Sequence, residues 1–167
     1  VIYNENNLLA VFKKTNSELL KIFSAHGIAY CYQESVYSSG LTPTSIQILQ
    51  LVEWLQNNDL LKLFSTNTLP EDFPLSCEFD THPCGLLVIP VGTEGRHCLL
   101  LFRPMLLSQV LWAGDPNQVL FIHDKKYSPR HSFNIWKETV NNQAEDWKEF
   151  ELSAASTISQ TLINKFM

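Results

Sequence analysis

The chain has 167 residues, of which 45% are hydrophobic and 17% are charged, and its formal net charge at pH 7 is −5. That length fits one domain with a sizeable core, and the composition is typical of a globular protein rather than a disordered one. The only basic cluster runs from Lys125 to His131, so we expect no nucleic-acid partner. No apolar run is long enough to cross a bilayer and no secretory leader is present, so we expect no membrane partner and a cytoplasmic location.

The two ends of the sequence both lie in helical patterns. The first residue is Val1 rather than Met, and the closing helical pattern continues to the last residue. We therefore expect both terminal helices to be truncated from a longer protein. The four cysteines form no CxxC pair, and a domain of this size does not need disulfides, so we expect reduced thiols. They are Cys31, Cys77, Cys84 and Cys98.

The first half of the chain predicts a helix, a hairpin and a second helix. The opening helix ends near Gly27, and its apolar face consists of Leu8, Phe12, Leu19, Leu20 and Phe23. GIAYCYQ alternates as a strand does, and ESVYSSG follows as its hairpin partner. The second helix then has Thr42 as N-cap and Pro43 as its first residue. Its expected buried face consists of Ile46, Leu49, Val52 and Leu55.

The second half predicts a loop, further strands and a closing helix. LLKLFSTNTL fits either a helix or a strand, and the prolines of EDFPLSCEFDTHPCG indicate a loop. GLLVIPV predicts an interior strand covered on both faces, and RHCLLLFRP and MLLSQVLW predict two more strands. The closing helix carries an apolar stripe expected to pack on the sheet. Its members are Trp147, Phe150, Ala154, Ile158, Leu162 and Phe166. Helices around a largely antiparallel sheet define the α+β class.

A search for catalytic and metal-binding patterns favours a protein that is not an enzyme. His97 and Cys98 are neighbours in a strand, so their side chains point to opposite faces and cannot form a base–nucleophile pair. The spacing of Cys77, His82, Cys84 and His97 matches no zinc pattern, so we expect no metal site. No phosphate-binding glycine loop, nucleophile elbow or HExxH helix occurs. A thiol-dependent enzyme would need a cysteine with a perturbed pKa beside a base.

The stretch from Trp112 to Glu138 has two possible local structures. A turn at Asp115-Pro116-Asn117, followed by a strand pattern over 119–122, predicts an extended hairpin arm. Ser128 as N-cap with Pro129 next, and apolar residues recurring at helical spacing, predict a helix instead. Because local propensity favours neither, the stretch is a candidate switch element.

Four ordered motifs in this region resemble those of the phytochrome-specific, or PHY, domain. They are Phe102-Arg103-Pro104, Trp112-Ala113-Gly114-Asp115-Pro116, Pro129-Arg130-His131-Ser132-Phe133 and Trp136-Lys137-Glu138, which are similar to the FRxE, W(G/A)G, PRxSF and WxE patterns. AHGIAYCYQ, SSGLTPTSIQILQLVEWL and CGLLVIPV extend the resemblance over nearly the whole chain. The sequence departs from the first pattern at Met105, where the family has glutamate, so any ionic role of that position is lost.

The resemblance implies a single domain over residues 1–167, with a GAF-like antiparallel sheet flanked by helices. In this family a long hairpin-like extension, the tongue, reaches the neighbouring bilin-binding GAF domain and refolds between hairpin and helix after photoisomerisation. The tongue would correspond to about 105–136 here. Its exposed aromatic residues would then pack on a surface that belongs to another domain.

The resemblance also implies roles for individual tongue residues. Arg130 would pair with a carboxylate of the chromophore domain in one photostate, and Ser132 would replace it in the other. Trp112 and Trp136 would exchange places against the GAF surface. A planar guanidinium suits the first role because it makes bidentate contacts with carboxylates and keeps its charge. The remaining expected contact residues are Gly114, Pro129, Phe133 and Glu138.

As a whole, the resemblance implies a signalling module of a red/far-red photoreceptor. The linear tetrapyrrole, a bilin, would be held by the adjacent GAF domain, and none of the four cysteines here would attach it. The parent protein is expected to form a homodimer and to carry a C-terminal output module, a histidine kinase or another. The alternative is a stand-alone GAF-like domain that binds a small ligand in its own pocket, which would require a polar-lined cavity.

Overall fold

A computed structural model describes residues 5–92, 97–106 and 142–166 of the chain. Residues 107–141, called the 107–141 segment below, fall outside that description. The elements are α1 (Glu5–Ile22), β1 (Gly27–Tyr32), β2 (Ser35–Gly40), α2 (Ser45–Asn57), β3 (Phe64–Thr66), α3 (Leu69–Asp72), a 3-10 helix (Pro74–Glu78), β4 (Pro83–Pro90), β5 (His97–Pro104) and α4 (Glu149–Phe166). None of the described helices is long and apolar enough to cross a membrane.

The strands form one five-stranded sheet in the order β2-β1-β5-β4-β3, and every neighbouring pair is antiparallel. The two faces of the sheet carry separate hydrophobic clusters. One cluster packs against α2 and α3, and the other against α1 and α4. The expected α+β, GAF-like fold with helices around an antiparallel sheet is confirmed.

The strand pattern of β1 explains how one sheet has two apolar faces. Ile28 and Tyr30 enter the cluster on the α1 and α4 face, while Ala29 and Cys31 enter the cluster on the α2 face. Successive side chains of a strand alternate between faces, so a strand covered on both sides must be apolar throughout. β4 is likewise buried from Pro83 to Ile89, which confirms the prediction of an interior strand.

The predicted hairpin is present, and the predicted end of the opening helix is wrong by several residues. β1 and β2 pair from Gly27↔Gly40 to Tyr32↔Ser35, with Gln33 in the left-handed region at φ 53°. α1 ends at Ile22 rather than near Gly27. Ser24 has φ 43°, and a left-handed residue ends a helix because it turns the backbone away from the helical path.

The predicted start and buried face of the second helix need correction. Thr44, not Thr42, is the N-cap of α2, and it forms a capping box with Gln47. Ile46 therefore lies in the first turn and is 72% exposed, and Leu49 is only half-buried. The face that packs on the sheet consists of Ile48, Leu51, Val52 and Leu55.

The predicted stripe of the closing helix also needs correction. Phe150 is 62% exposed, whereas Glu151, Ala155 and Ser159 are buried at intervals of four residues. Ser159 donates a hydrogen bond to the Pro90 carbonyl oxygen over 3.0 Å. The helix thus approaches β4 through small residues and one carboxylate, with Ala154, Ile158 and Leu162 at the margins of the contact.

The region predicted to be a loop contains short helices. α3 and the 3-10 helix each have a proline in their first two positions, Pro70 and Pro74, where the missing N–H costs no intrahelical hydrogen bond. Phe73 and Phe79 anchor these turns in the cluster beneath α2. The LLKLFSTNTL stretch, left open by its sequence, contributes β3.

Candidate functional site at the base of the 107–141 segment

The two chain ends that border the 107–141 segment lie side by side. The backbone N–H of Leu106 donates to the carbonyl oxygen of Gln143 over 2.8 Å. One residue further, the N–H of Ala144 donates to the Asn67 carbonyl oxygen, also over 2.8 Å. The Asn67 side chain in turn donates to the carboxylate of Asp146. The chain therefore leaves the sheet and returns to it at one point, which we call the segment base.

Arg103 joins the segment base to the rest of the domain, although it lies in an apolar strand and is only 2% exposed. Its Nη1 donates to the carbonyl oxygens of Glu145 at 3.1 Å and Asp146 at 2.8 Å. Its Nη2 donates to the Phe23 carbonyl oxygen and to Glu151 Oε1, each over 2.6 Å. One guanidinium thus connects β5, the end of α1, the returning chain and α4.

Trp147 and Glu151 complete the environment of this guanidinium. The indole ring of Trp147 lies 3.8 Å from Cζ of Arg103, which is a cation–π contact, and its Nε1 donates to the Thr66 carbonyl oxygen over 3.0 Å. Glu151 Oε2 accepts the backbone N–H of Lys148 over 2.8 Å, so the same carboxylate also caps the start of α4. We call Arg103, Trp147 and Glu151 the arginine clamp.

The electrostatics of the clamp make it sensitive to the loss of either charge. Arg103 and Glu151 form an ion pair with side chains 3% and 0% exposed. Burying two charges is costly, and their attraction offsets that cost only when hydrogen bonds satisfy the remaining polar atoms. Here four carbonyl or carboxylate acceptors do so, while Nε of Arg103 has no partner among the described residues.

Gly85 allows the returning chain to approach β4 closely. A Cβ at this position would lie 2.9 Å from Cβ of Ala144 and 2.9 Å from Cβ of Arg103, which is closer than real Cβ contacts. Ala144 is buried at 2% exposure in this gap. The small residue on β4 therefore fixes where the segment base lies on the sheet.

The residues that the sequence indicated for domain contact lie outside the described residues. They are Trp112, Gly114, Pro129, Arg130, Ser132, Phe133, Trp136 and Glu138. Of the four motifs, the first is described, and its Arg103 is the centre of the clamp. Met105, where the sequence departs from the first of these motif patterns, is half-buried and directly precedes Leu106 of the segment base.

The prediction that His97 and Cys98 do not pair, and that Cys98 is buried, is confirmed. His97 and Cys98 face opposite sides of the sheet, as expected: His97 Nε2 lies 2.9 Å from the Tyr30 hydroxyl oxygen, and Cys98 lies in the cluster beneath α2. A hydrogen bond with Cys31, and then burial, raise the pKa of the Cys98 thiol well above its usual range. Within 5–92, 97–106 and 142–166, no three ligating side chains are placed to hold a metal ion.

Sequence analysis missed the role of Arg103 and of Glu151. The sequence does indicate that Arg103 has a partner. The arginine follows the apolar run HCLLLF, and a charged side chain in a buried strand requires a partner. The partner itself could not be identified, since Glu151 is 48 positions away and Phe23 is 80 positions away.

Comparison of the sequence with known proteins identifies its family. The family model of the phytochrome region, PHY, matches residues 1–167. The chain is 34% identical over 96% of its length to cyanobacterial phytochrome A of Nostoc sp., and 33% identical over 87% of its length to the phytochrome-like protein Cph1 of Synechocystis sp.. It covers 21% and 20% of those proteins, about a fifth of each. The chain belongs to the PHY family, the phytochrome region.

A solved structure supports the same fold. The crystal structure of the bacteriophytochrome RpBphP3 from the photosynthetic bacterium R. palustris superposes with a TM-score of 0.69, over 95% of this chain and 32% of that one, at 24% identity. The architecture is therefore shared well beyond the level of sequence similarity.

Proposed function

We propose that this chain is the photosensory signalling module of a phytochrome red/far-red light receptor. In this proposal the tongue, at about 105–136, contacts a neighbouring bilin-binding GAF domain, stabilises the photostates and relays the light signal to a C-terminal output module. The observation that carries the proposal is the segment base, where Leu106 and Gln143 are hydrogen-bonded. Because the two ends of the segment are held together, the 35 or so residues between them can form an arm that returns to its starting point. A crossover connection would instead lead to a different strand of the sheet.

The relay is supported by the arginine clamp. The carbonyl groups of Glu145 and Asp146, at the return of the segment, share one guanidinium with Glu151 of α4. A displacement of the returning chain therefore changes the contacts of the carboxylate that caps α4. α4 is the last described element of the chain and would connect to the output module, a histidine kinase or another.

In this proposal the neighbouring domain holds the bilin, and no cysteine of this chain attaches it. Cys31, Cys84 and Cys98 are buried, so their thiols do not reach an external chromophore. Cys77 is exposed, but the described residues that line the pocket beside it include no Lys or Arg to pair with the carboxylates of a bilin. The module itself has no catalytic role in the proposal.

The length of the relatives supports a multidomain parent rather than a stand-alone ligand-binding domain. This chain covers about a fifth of the cyanobacterial proteins and 13% of phytochrome D of Arabidopsis thaliana. We accordingly propose a GAF domain in the same chain as the direct partner, and a homodimer as the assembly of the parent protein.

The docking role of Arg130 provides the test. In the whole, bilin-loaded protein, Arg130→Ala should shift the balance between two tongue states about ten- to a hundred-fold, since a partly enclosed charge-assisted hydrogen bond contributes about 1.5–3 kcal/mol. Dark-reversion rates and light-minus-dark difference spectra measure the shift. Arg130→Lys should restore the wild-type values only in part, because an ammonium cannot make the bidentate contact.

Lys125→Ala is the matched control, since it removes a cation from the same segment without touching the motif. Its spectra and reversion rate should equal those of the wild type. If Arg130→Ala behaves like this control, the docking role is wrong; if it also lowers the unfolding midpoint of the domain, Arg130 is a structural residue instead.

A further inference from the structure

Two cysteines line one cavity beside the segment base. The cavity has a volume of about 380 Å³, and its wall includes Cys77 of the 3-10 helix and Cys84 at the start of β4. Both residues are thiols in this structure rather than halves of a disulfide. None of the roles proposed above uses either sulfur atom.

A tight turn between the two cysteines folds the chain back on itself. The backbone N–H of His82 donates to the Phe79 carbonyl oxygen over 2.9 Å, which closes a turn over residues 79–82. Such a bond between the first and fourth residues reverses the direction of the chain. Cys77 lies two positions before the turn and Cys84 two positions after it, so the turn brings them to the same side.

The packing around the turn holds the two thiols near each other. Phe73 and Phe79, at the two ends of the 3-10 helix, are buried in the same hydrophobic cluster as Leu86 of β4. The Cys84 thiol points back toward the turn, because it donates to the His82 carbonyl oxygen with sulfur and oxygen 3.6 Å apart. Burial, and then the nearby charge of Cys77, raise the pKa of the Cys84 thiol to about 11. The second cause weakens with distance, so it too indicates that the sulfur atoms are close.

The two thiols differ in their access to solvent. Cys77 is exposed, whereas Cys84 is only 1% exposed. A small oxidant that arrives from solvent therefore meets Cys77 first. Redox-sensing cysteines are solvent-accessible and often stand next to a second cysteine that resolves the oxidised one. Cys31 and Cys98 do not have this arrangement, because both are buried.

We propose that a peroxide converts Cys77 and Cys84 into a disulfide, with Cys77 as the thiol that is oxidised and Cys84 as the thiol that resolves it. First, the Cys77 sulfur attacks one peroxide oxygen and the O–O bond breaks. The leaving hydroxide takes up the proton of the thiol as water, and Cys77 becomes a sulfenic acid. The Cys84 sulfur then attacks the Cys77 sulfur, the S–O bond breaks, and the hydroxyl group leaves with the Cys84 proton as water. The two thiols lose two electrons, which reduce the peroxide.

The bond would form against the segment base. Met105 and Asn142 line the same cavity, one on the chain leaving the sheet and one on the chain returning to it. A disulfide in this wall would tie the 3-10 helix to β4 directly beside both of them. The proposal does not depend on tongue docking, because it concerns only residues of the described domain.

Mass spectrometry of the whole protein after treatment with hydrogen peroxide tests the bond. The remaining thiols are alkylated with iodoacetamide in denaturant, and the chain is cleaved after Glu78, which separates Cys77 from Cys84. Without a reductant the two peptides should stay joined, and both cysteines should have lost their alkylation. Dithiothreitol should separate the peptides and restore alkylation of both. Cys31 and Cys98 should be alkylated with or without peroxide, because burial shields them while the protein is folded.

Two variants separate the steps. Cys84→Ser should lose its Cys77 thiol at the wild-type rate, because the first step does not involve Cys84, and should accumulate a sulfenic acid that dimedone traps. Cys77→Ser combined with Glu53→Cys is the matched control, since it moves the exposed thiol to the outer face of α2, and it should form no bond to Cys84. The proposal is overturned if peroxide leaves Cys77 unmodified, if Cys77 is consumed in the wild type without a bond to Cys84, if the bond joins two chains instead, or if the control forms its bond equally fast.

Discussion

Arg103 shows how a residue at the end of an apolar strand can organise a whole region. The sequence marked it only as part of the Phe102-Arg103-Pro104 motif, and nothing local indicated its partners. Those partners come from the end of α1, the returning chain and α4, which the fold brings together around one guanidinium. These contacts join residues that are 42 to 80 positions apart in the sequence, so patterns among neighbouring residues cannot identify them.

Removing either charge of the clamp should be strongly destabilising. Arg103→Met or Glu151→Met leaves the opposite buried group without its partner, and the free energy of unfolding should fall by about 3–5 kcal/mol. Urea unfolding of the domain measures this. The double variant Arg103→Met with Glu151→Met should be less destabilised than the sum of its single variants, because neither charge is then buried alone. Additive losses would mean that the two side chains are not energetically coupled.

The strands were predicted well, because burial on one or both faces of a sheet determines the order of apolar and polar residues along a strand. The alternation of β1 and the continuous apolar run of β4 identified both strands, and both strands are buried on their two faces. The helix faces were predicted less well. α4 buries Glu151, Ala155 and Ser159 rather than Phe150, because close packing on β4 and the charge of Arg103 favour small and acidic residues there.

The start of α2 provides a direct test at this scale. Thr44→Ala should lower the free energy of unfolding by about 1 kcal/mol, because the Gln47 backbone N–H loses its side-chain acceptor. Thr42→Ala, at the N-cap position predicted from the sequence, should cost no more than about 0.5 kcal/mol. Thermal or urea unfolding distinguishes the two. A larger loss at Thr42 than at Thr44 would contradict the capping box.

The proposed transmission through α4 can be tested by changing its helical phase. Inserting two residues after Phe166 in the whole protein rotates everything beyond the insertion by about 200° at 3.6 residues per turn. If the helix continues toward the output module, light regulation of the output should be lost or inverted. An insertion of seven residues, about two full turns, is the matched control and should preserve regulation. Unchanged regulation after the two-residue insertion would count against a helical transmission line.

At the scale of the whole molecule, the described residues form one sheet covered on both faces, and the two chain ends that border the 107–141 segment lie side by side on it. The sheet, its two hydrophobic clusters and the arginine clamp fix the segment base. The eight residues proposed to dock on the neighbouring domain all lie within the 107–141 segment, and family motifs rather than periodicity identified them. If they dock on a neighbouring domain, as proposed, their packing surface is not encoded in this stretch, and neither helical nor strand periodicity would be expected to decide its structure.

The most direct test of the central claim is hydrogen–deuterium exchange of the whole, bilin-loaded protein in its two photostates. If the 107–141 segment is the light-responsive arm, its backbone amides should exchange at different rates in the two states. Amides of β1, β4 and β5 should not differ, because they belong to the rigid core. An identical exchange pattern for 107–141 in both states, in a protein whose absorption spectrum does switch, would contradict the account.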